Sequence, residues 1–77
     1  MSNRFLCRDC RIDTKEIKEY YMIDNSIWHR YGTVGMLCIG CIEYRLGREL
    51  GKADFTLAPV NYTGKKSSRL TSRLERI

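Results

Sequence analysis

Seventy-seven residues with a formal net charge of +5 make one small domain, and so short a chain needs a staple such as disulfides or a metal to hold its limited core. No stretch is long and apolar enough to cross a bilayer, and Met1-Ser2-Asn3-Arg4-Phe5-Leu6 lacks the apolar run and small-residue cleavage site of a secretory leader. Composition therefore excludes a membrane protein and points to the cytoplasm, where thiols stay reduced.

Taken in order, the chain opens on Cys7-Arg8-Asp9-Cys10, and Cys38-Ile39-Gly40-Cys41 repeats the spacing. Two intervening residues let both sulfurs of a pair reach one ion, and two such pairs close a tetrahedral S4 shell around one structural Zn²⁺. Two disulfides, a thioredoxin-like redox pair or four buried thiols are the competing uses of these cysteines. Spacing and compartment favour zinc. Phe5 and Leu6 support the first knuckle, and Arg4, Arg8 and Arg11 offset a centre that carries four thiolates on one dication. The metal-free chain is expected to be largely unfolded.

Asp13-Thr14 reads as a turn, and Glu19-Tyr20-Tyr21-Met22-Ile23 as a strand, alone or in a short β-hairpin. Asp24-Asn25-Ser26 caps a short helix through Ile27, Trp28 and Tyr31, which Gly32 and Gly35 end. Gly40 is expected to give the second knuckle a tight backbone. Ile42, Leu46 and Leu50 recur every fourth residue and predict an amphipathic helix over 42–50, stopped by Gly51, with Cys41 near its N-terminus where the helix dipole favours thiolate. Asp54 is a candidate cap for one short turn, with Phe55 and Leu57 closing over the core, and Pro59 breaks it.

The tail from Gly64 carries Lys65, Lys66, Arg69, Arg73 and Arg76 against Glu75 alone. Ser67 or Ser68 caps a helix whose Leu70, Leu74 and Ile77 form an apolar stripe beside an arginine stripe. The domain expectation is a zinc-binding unit over 1–62 and a basic amphipathic helix over 63–77. The fold class is a small zinc-stabilised α+β domain with a short hairpin, a zinc-bearing helix and the basic C-terminal helix.

A cysteine knuckle, intervening β-structure and a second pair on the first turn of a helix resemble treble-clef zinc fingers in outline. The run Cys7-x-x-Cys10, Tyr20-Tyr21-Met22, Trp28, Leu37-Cys38-x-x-Cys41-x-Glu43-x-Arg45-Leu46-Gly47-Arg48-x-Leu50, Asp54-Phe55, Pro59-x-Asn61 resembles small bacterial and phage zinc-finger-like proteins without an assigned activity. The resemblance spans most of the chain and implies no reaction.

The treble-clef outline raises nuclease chemistry of the HNH type, which needs a histidine base and further metal-holding residues. This chain has one histidine, His29, and four cysteines leave a zinc ion no open position, so no enzymatic activity is expected. The first functional reading is a zinc module that binds nucleic acid through an arginine-rich face built from Arg45, Arg48, Lys65, Lys66, Arg69, Arg73 and Arg76. The alternative is an adaptor or inhibitor, phage-encoded or not, that binds an acidic protein surface and uses Leu70, Leu74 or Trp28 as apolar anchors. A structural part of a larger assembly is a third reading. The aromatic residues, Tyr20, Tyr21, Tyr31 and Tyr44 with Trp28, are core or a stacking platform. The Leu70/Leu74/Ile77 stripe also allows homo-oligomers. Arg73→Ala is expected to leave the fold intact and to reduce partner binding only.

Overall fold

Residues 19–23 run extended, with Glu19, Tyr21 and Ile23 buried and Tyr20 and Met22 exposed, the two-residue alternation of a strand with one covered face. In the computed structural model, which describes residues 5–76, this segment joins no ladder. Among the described residues β-pairing is limited to isolated bridges, Leu6 with Asp13 and Ile23 with Phe55 antiparallel and Cys7 with Met36 parallel. The expected hairpin is therefore not formed among the described residues: between residues 22–24 and 54–56 backbone pairing is confined to Thr56 N with Met22 O at 3.2 Å and Asp24 N with Asp54 O at 2.8 Å, and a side chain supplies the rest. Asn61 is almost fully buried; its Oδ1 accepts from Met22 N at 2.9 Å, and its Nδ2 donates to Met22 O at 2.8 Å and to Thr56 O at 2.9 Å. One amide thus supplies both the acceptor and the donor that a strand backbone would offer.

Three α-helices are present among the described residues: α1 (Asn25–Tyr31), α2 (Ile39–Leu46) and α3 (Ser68–Glu75), with single 3₁₀ turns at Lys52–Asp54 and Pro59–Asn61. Asp24 caps α1 by accepting from Ser26 N at 2.8 Å, and Ser67 caps α3 by accepting from Leu70 N at 3.0 Å, so both capping clusters act as their residue types require. At the far end of α1, Gly32 is required by close approach, since a Cβ there would lie 2.5 Å from Trp28 O.

Helix α2 starts and stops earlier than its apolar period suggests. Cys38 is its N-cap, and Gly47, at φ 78, ends it in the left-handed conformation that glycine adopts without a Cβ clash. Gly51 is extended and terminates nothing. Leu50 is still fully buried, but from the loop beyond the helix. Gly40 lies inside α2 with no left-handed φ. Its bareness instead makes room, because a Cβ there would stand 2.7 Å from Arg69 Nη1.

The core gathers Tyr21, Ile23, Met36, Leu37, Ile39, Ile42, Leu50, Phe55 and Leu70 with Cys7 and Cys38. Tyr21 meets Trp28 and Phe55 edge-to-face, with ring centroids 6.5 and 6.1 Å apart. Its hydroxyl donates to Leu37 O at 2.7 Å, and burial pushes that hydroxyl's pKa well up. Phe55 closes over the core as expected, whereas Leu57 is 89% exposed.

Leu70 is fully buried and Leu74 packs against the same core. Helix α3 thus packs onto the core that the cysteine-bearing part of the chain forms. Arg4 and Ile77, assigned above to the first knuckle and to the tail's stripe, lie outside the described residues. No helix among the described residues is long and apolar enough to cross a membrane.

The role of Asn61 is testable by urea denaturation of the zinc-loaded protein. Asn61→Ala leaves the part-buried Met22 N–H without its acceptor and is expected to cost about 1–3 kcal/mol. An unchanged denaturation midpoint would mean that the amide is not what holds residues 19–23 in place.

Candidate metal centre

The first knuckle is shaped by its own backbone. Cys7 N donates to Ile12 O at 2.7 Å, Arg11 N returns to Cys7 O at 2.8 Å, and Arg11 takes the left-handed φ of 69 that lets the chain double back. The second knuckle is the start of α2, where Cys41 N and Ile42 N both donate to Cys38 O at 3.1 Å. A bond from Arg8 N to Met36 O, 2.8 Å, and the Cys7–Met36 bridge bring the two knuckles together.

The four sulfurs of Cys7, Cys10, Cys38 and Cys41 lie within 4.8 Å of one another, and none is in a disulfide. Zn–S bonds of about 2.3 Å directed to the corners of a tetrahedron place neighbouring sulfurs about 3.8 Å apart. The separation of Cys10 Sγ from Cys38 Sγ is 3.7 Å. Cys7 and Cys38 are buried, Cys41 is half-buried and Cys10 is exposed. An all-thiolate donor set of this spacing fits a closed structural zinc site.

Electrostatics give the same reading. Burial pushes the Cys7 thiol up, but backbone N–H groups of Cys10, Cys38 and Asp9 outweigh it and bring the pKa down to about 6. Burial pushes Cys38 and Cys41 up; the neighbouring sulfurs add to the rise at Cys41, and at Cys38 Cys10 and Cys7 raise the pKa while Cys41 opposes them. The α2 N-terminus therefore does not suffice to keep Cys41 ionised beside three other sulfurs. Four thiolates coexist at these distances only around a cation, and a bound dication supplies that charge and displaces their protons.

Around the sulfurs stand arginine–carboxylate pairs. Arg45, on α2, grips Asp9 of the first knuckle through two bonds of 2.7 and 2.9 Å, and donates to Tyr31 O and Gly32 O at 3.1 and 3.0 Å. One guanidinium thus ties the first knuckle to the zinc helix and to the end of α1. Glu19 performs the matching task at the second knuckle: it accepts from Ile39 N at 3.1 Å, from Ser67 Oγ at 2.8 Å and from Arg69 at 2.8 and 3.0 Å. Burial opposes ionisation of Glu19, but Arg69, Ser67 and the Ile39 N–H hold its carboxyl below the usual range. Arg69 in turn brings a positive charge beside Cys38.

The arginines expected on a free binding face are all engaged within the chain. Besides Arg45 with Asp9 and Arg69 with Glu19, Arg48 meets Asp54 at 2.9 Å, Arg73 meets Glu43 at 2.8 Å and Glu49 at 3.3 Å, and Arg76 meets Glu49. Lys65 and Lys66 have no carboxylate partner among the described residues. Leu70 and Leu74, expected as docking anchors, are turned onto the core, and Trp28 is packed against it. Tyr20 is 37% and Tyr44 88% exposed. The carboxylates Asp9, Glu19 and Glu43 were not anticipated as supports of the site. The sequence signal for Asp9 was its position inside the knuckle, and for Glu19 its in-phase place with Tyr21 and Ile23 on the covered face.

The Arg73 side chain is 14% exposed and that of Glu43 11%, so Arg73 acts first on stability. Arg73→Ala is expected to lower unfolding free energy by about 2–3 kcal/mol, because it leaves a nearly buried carboxylate unpaired. Arg76→Ala, at a pair about half exposed on both sides, is expected to cost less than about 1 kcal/mol. Equal effects in urea denaturation would contradict this ranking.

No family model, curated protein or solved structure matches the chain, so the site is read from its own geometry.

Proposed function

We propose that the chain is a non-catalytic zinc-binding module that binds nucleic acid, the metal serving to shape the binding surface. A closed S4 shell leaves no position for substrate or activated water. The sole histidine, His29, is exposed on α1 and is not among the clustered ligands. The knuckle, the intervening covered segment and the second cysteine pair at a helix start also support a treble-clef-like reading in which Asn61 stands in for the hairpin partner.

The observation that carries the nucleic-acid reading is the distribution of charge. Asp9, Glu19, Glu43, Glu49 and Asp54 cancel the five arginines Arg45, Arg48, Arg69, Arg73 and Arg76 one for one. The net charge of +5 therefore resides in the rest of the chain, where nine bases, among them Arg8, Arg11, Lys15, Lys18, Lys65 and Lys66, outnumber four acids. A domain whose unmatched cations outnumber its unmatched carboxylates attracts a polyanion. The adaptor reading has less support, since Leu70, Leu74 and Trp28 pack against the chain's own core.

Binding of the zinc-loaded protein to labelled oligonucleotides should weaken linearly in log K against log salt, because phosphate contacts release counterions. A salt-insensitive affinity, or a pull-down from cells whose partner is a protein that survives nuclease treatment, would favour the adaptor.

A further inference from the structure

Two separate segments deliver lysines to one cleft. Lys15 and Lys18 come from the turn before the extended segment, and Lys65 and Lys66 from the link into α3. Tyr20, Val60 and Thr63 complete the wall of a space of ≈ 140 Å³. Among the described residues no carboxylate pairs with any of the four lysines, although exposed Glu16 lies on the same turn. Four like charges gathered without a counterion repel one another and oppose folding.

The cleft is nonetheless held in shape. Lys15 Nζ sits 4.9 Å from the centre of the Phe5 ring, Phe5 meets Tyr20 edge-to-face at 5.3 Å, and Lys66 Nζ donates to Thr63 O at 2.6 Å. Lys18 has a φ of 61, a left-handed conformation that costs a side-chain-bearing residue about 1–2 kcal/mol. Its carbonyl accepts from Ser67 N at 3.0 Å, which joins the turn to the segment carrying Lys65 and Lys66.

We propose that this cleft is the nucleic-acid contact surface, and that its ligand is a single strand whose phosphates sit among Lys15, Lys18, Lys65 and Lys66 while a base rests on Tyr20. The inference builds on the nucleic-acid reading above and moves the contact away from the arginine face. Single strands fit because ammonium groups beside an aromatic ring match alternating phosphates and unpaired bases. A concave site walled by turns offers no helix or ribbon to enter a duplex groove.

The test titrates the zinc-loaded full chain with a fluorescent oligothymidylate of about 12 nucleotides and with a duplex of equal length. Lys18→Gly relieves the backbone strain and keeps the Lys18 carbonyl, so it should fold at least as well, with zinc content and melting as the check. Lys18→Gly and Lys65→Ala should each weaken single-strand binding several-fold and reduce the salt slope by about 0.7. Tyr20→Leu should weaken it about fivefold or more, and Arg76→Ala should leave it unchanged. Tight binding by the wild type that survives the lysine changes but falls with Arg76→Ala would overturn the cleft and leave nucleic-acid binding standing. Absence of oligonucleotide binding by the wild type would remove both readings. Competition by inorganic phosphate as effective as by the oligonucleotide would assign the cleft to a small anion and overturn the strand.

Discussion

Convergence of four sulfurs on one point is the constraint from which the other contacts follow. The cysteines come from residues 7–10 and 38–41, and between them the described chain forms no β ladder and only one short helix, α1. A backbone with so little regular pairing has few cooperative hydrogen bonds to draw on. A metal ion held by the four sulfurs would supply the closure instead, and a thiolate cluster without a cation would set Cys7, Cys38 and Cys41 against one another.

Side chains then complete what the backbone leaves undone. Asn61 serves Met22, Tyr21 serves Leu37, Glu19 serves the first turn of α2 and Arg45 serves the carbonyls that end α1. Each is a polar group that bonds to main chain, which is how buried backbone is kept satisfied where sheets are absent. Among the described residues no buried side-chain nitrogen or oxygen lacks a partner. The acid–arginine pairs tie α3 to the zinc half at Glu19, Glu43 and Glu49, so the basic tail belongs to the fold first and to the surface second.

The parts of this arrangement that were legible in the sequence are those set by spacing and local chemistry. The two cysteine pairs, the caps at Asp24 and Ser67 and the amphipathic tail helix all follow from residues a few positions apart. Residues 19–23 show a correct alternation, yet alternation reports which face is covered and not what pairs with the backbone. An asparagine nearly forty positions away is invisible to it. The period Ile42, Leu46, Leu50 likewise reports burial, and Gly47 ends the helix within it because a later loop can bury Leu50 equally well. Charge spacing on α3 predicts an arginine stripe correctly but not its partners, since Glu19, Glu43 and Glu49 are brought to it only by packing.

A four-cysteine cluster that fits a structural zinc ion, with arginines matched within the chain around it, is the centre of this fold. The most direct test is metal content combined with thermal unfolding before and after a strong chelator. One zinc per chain, with the cooperative transition lost on chelation and restored when zinc is added back, is the predicted result. Purified protein with no bound metal, or a melting transition unchanged after complete metal removal, would contradict the account.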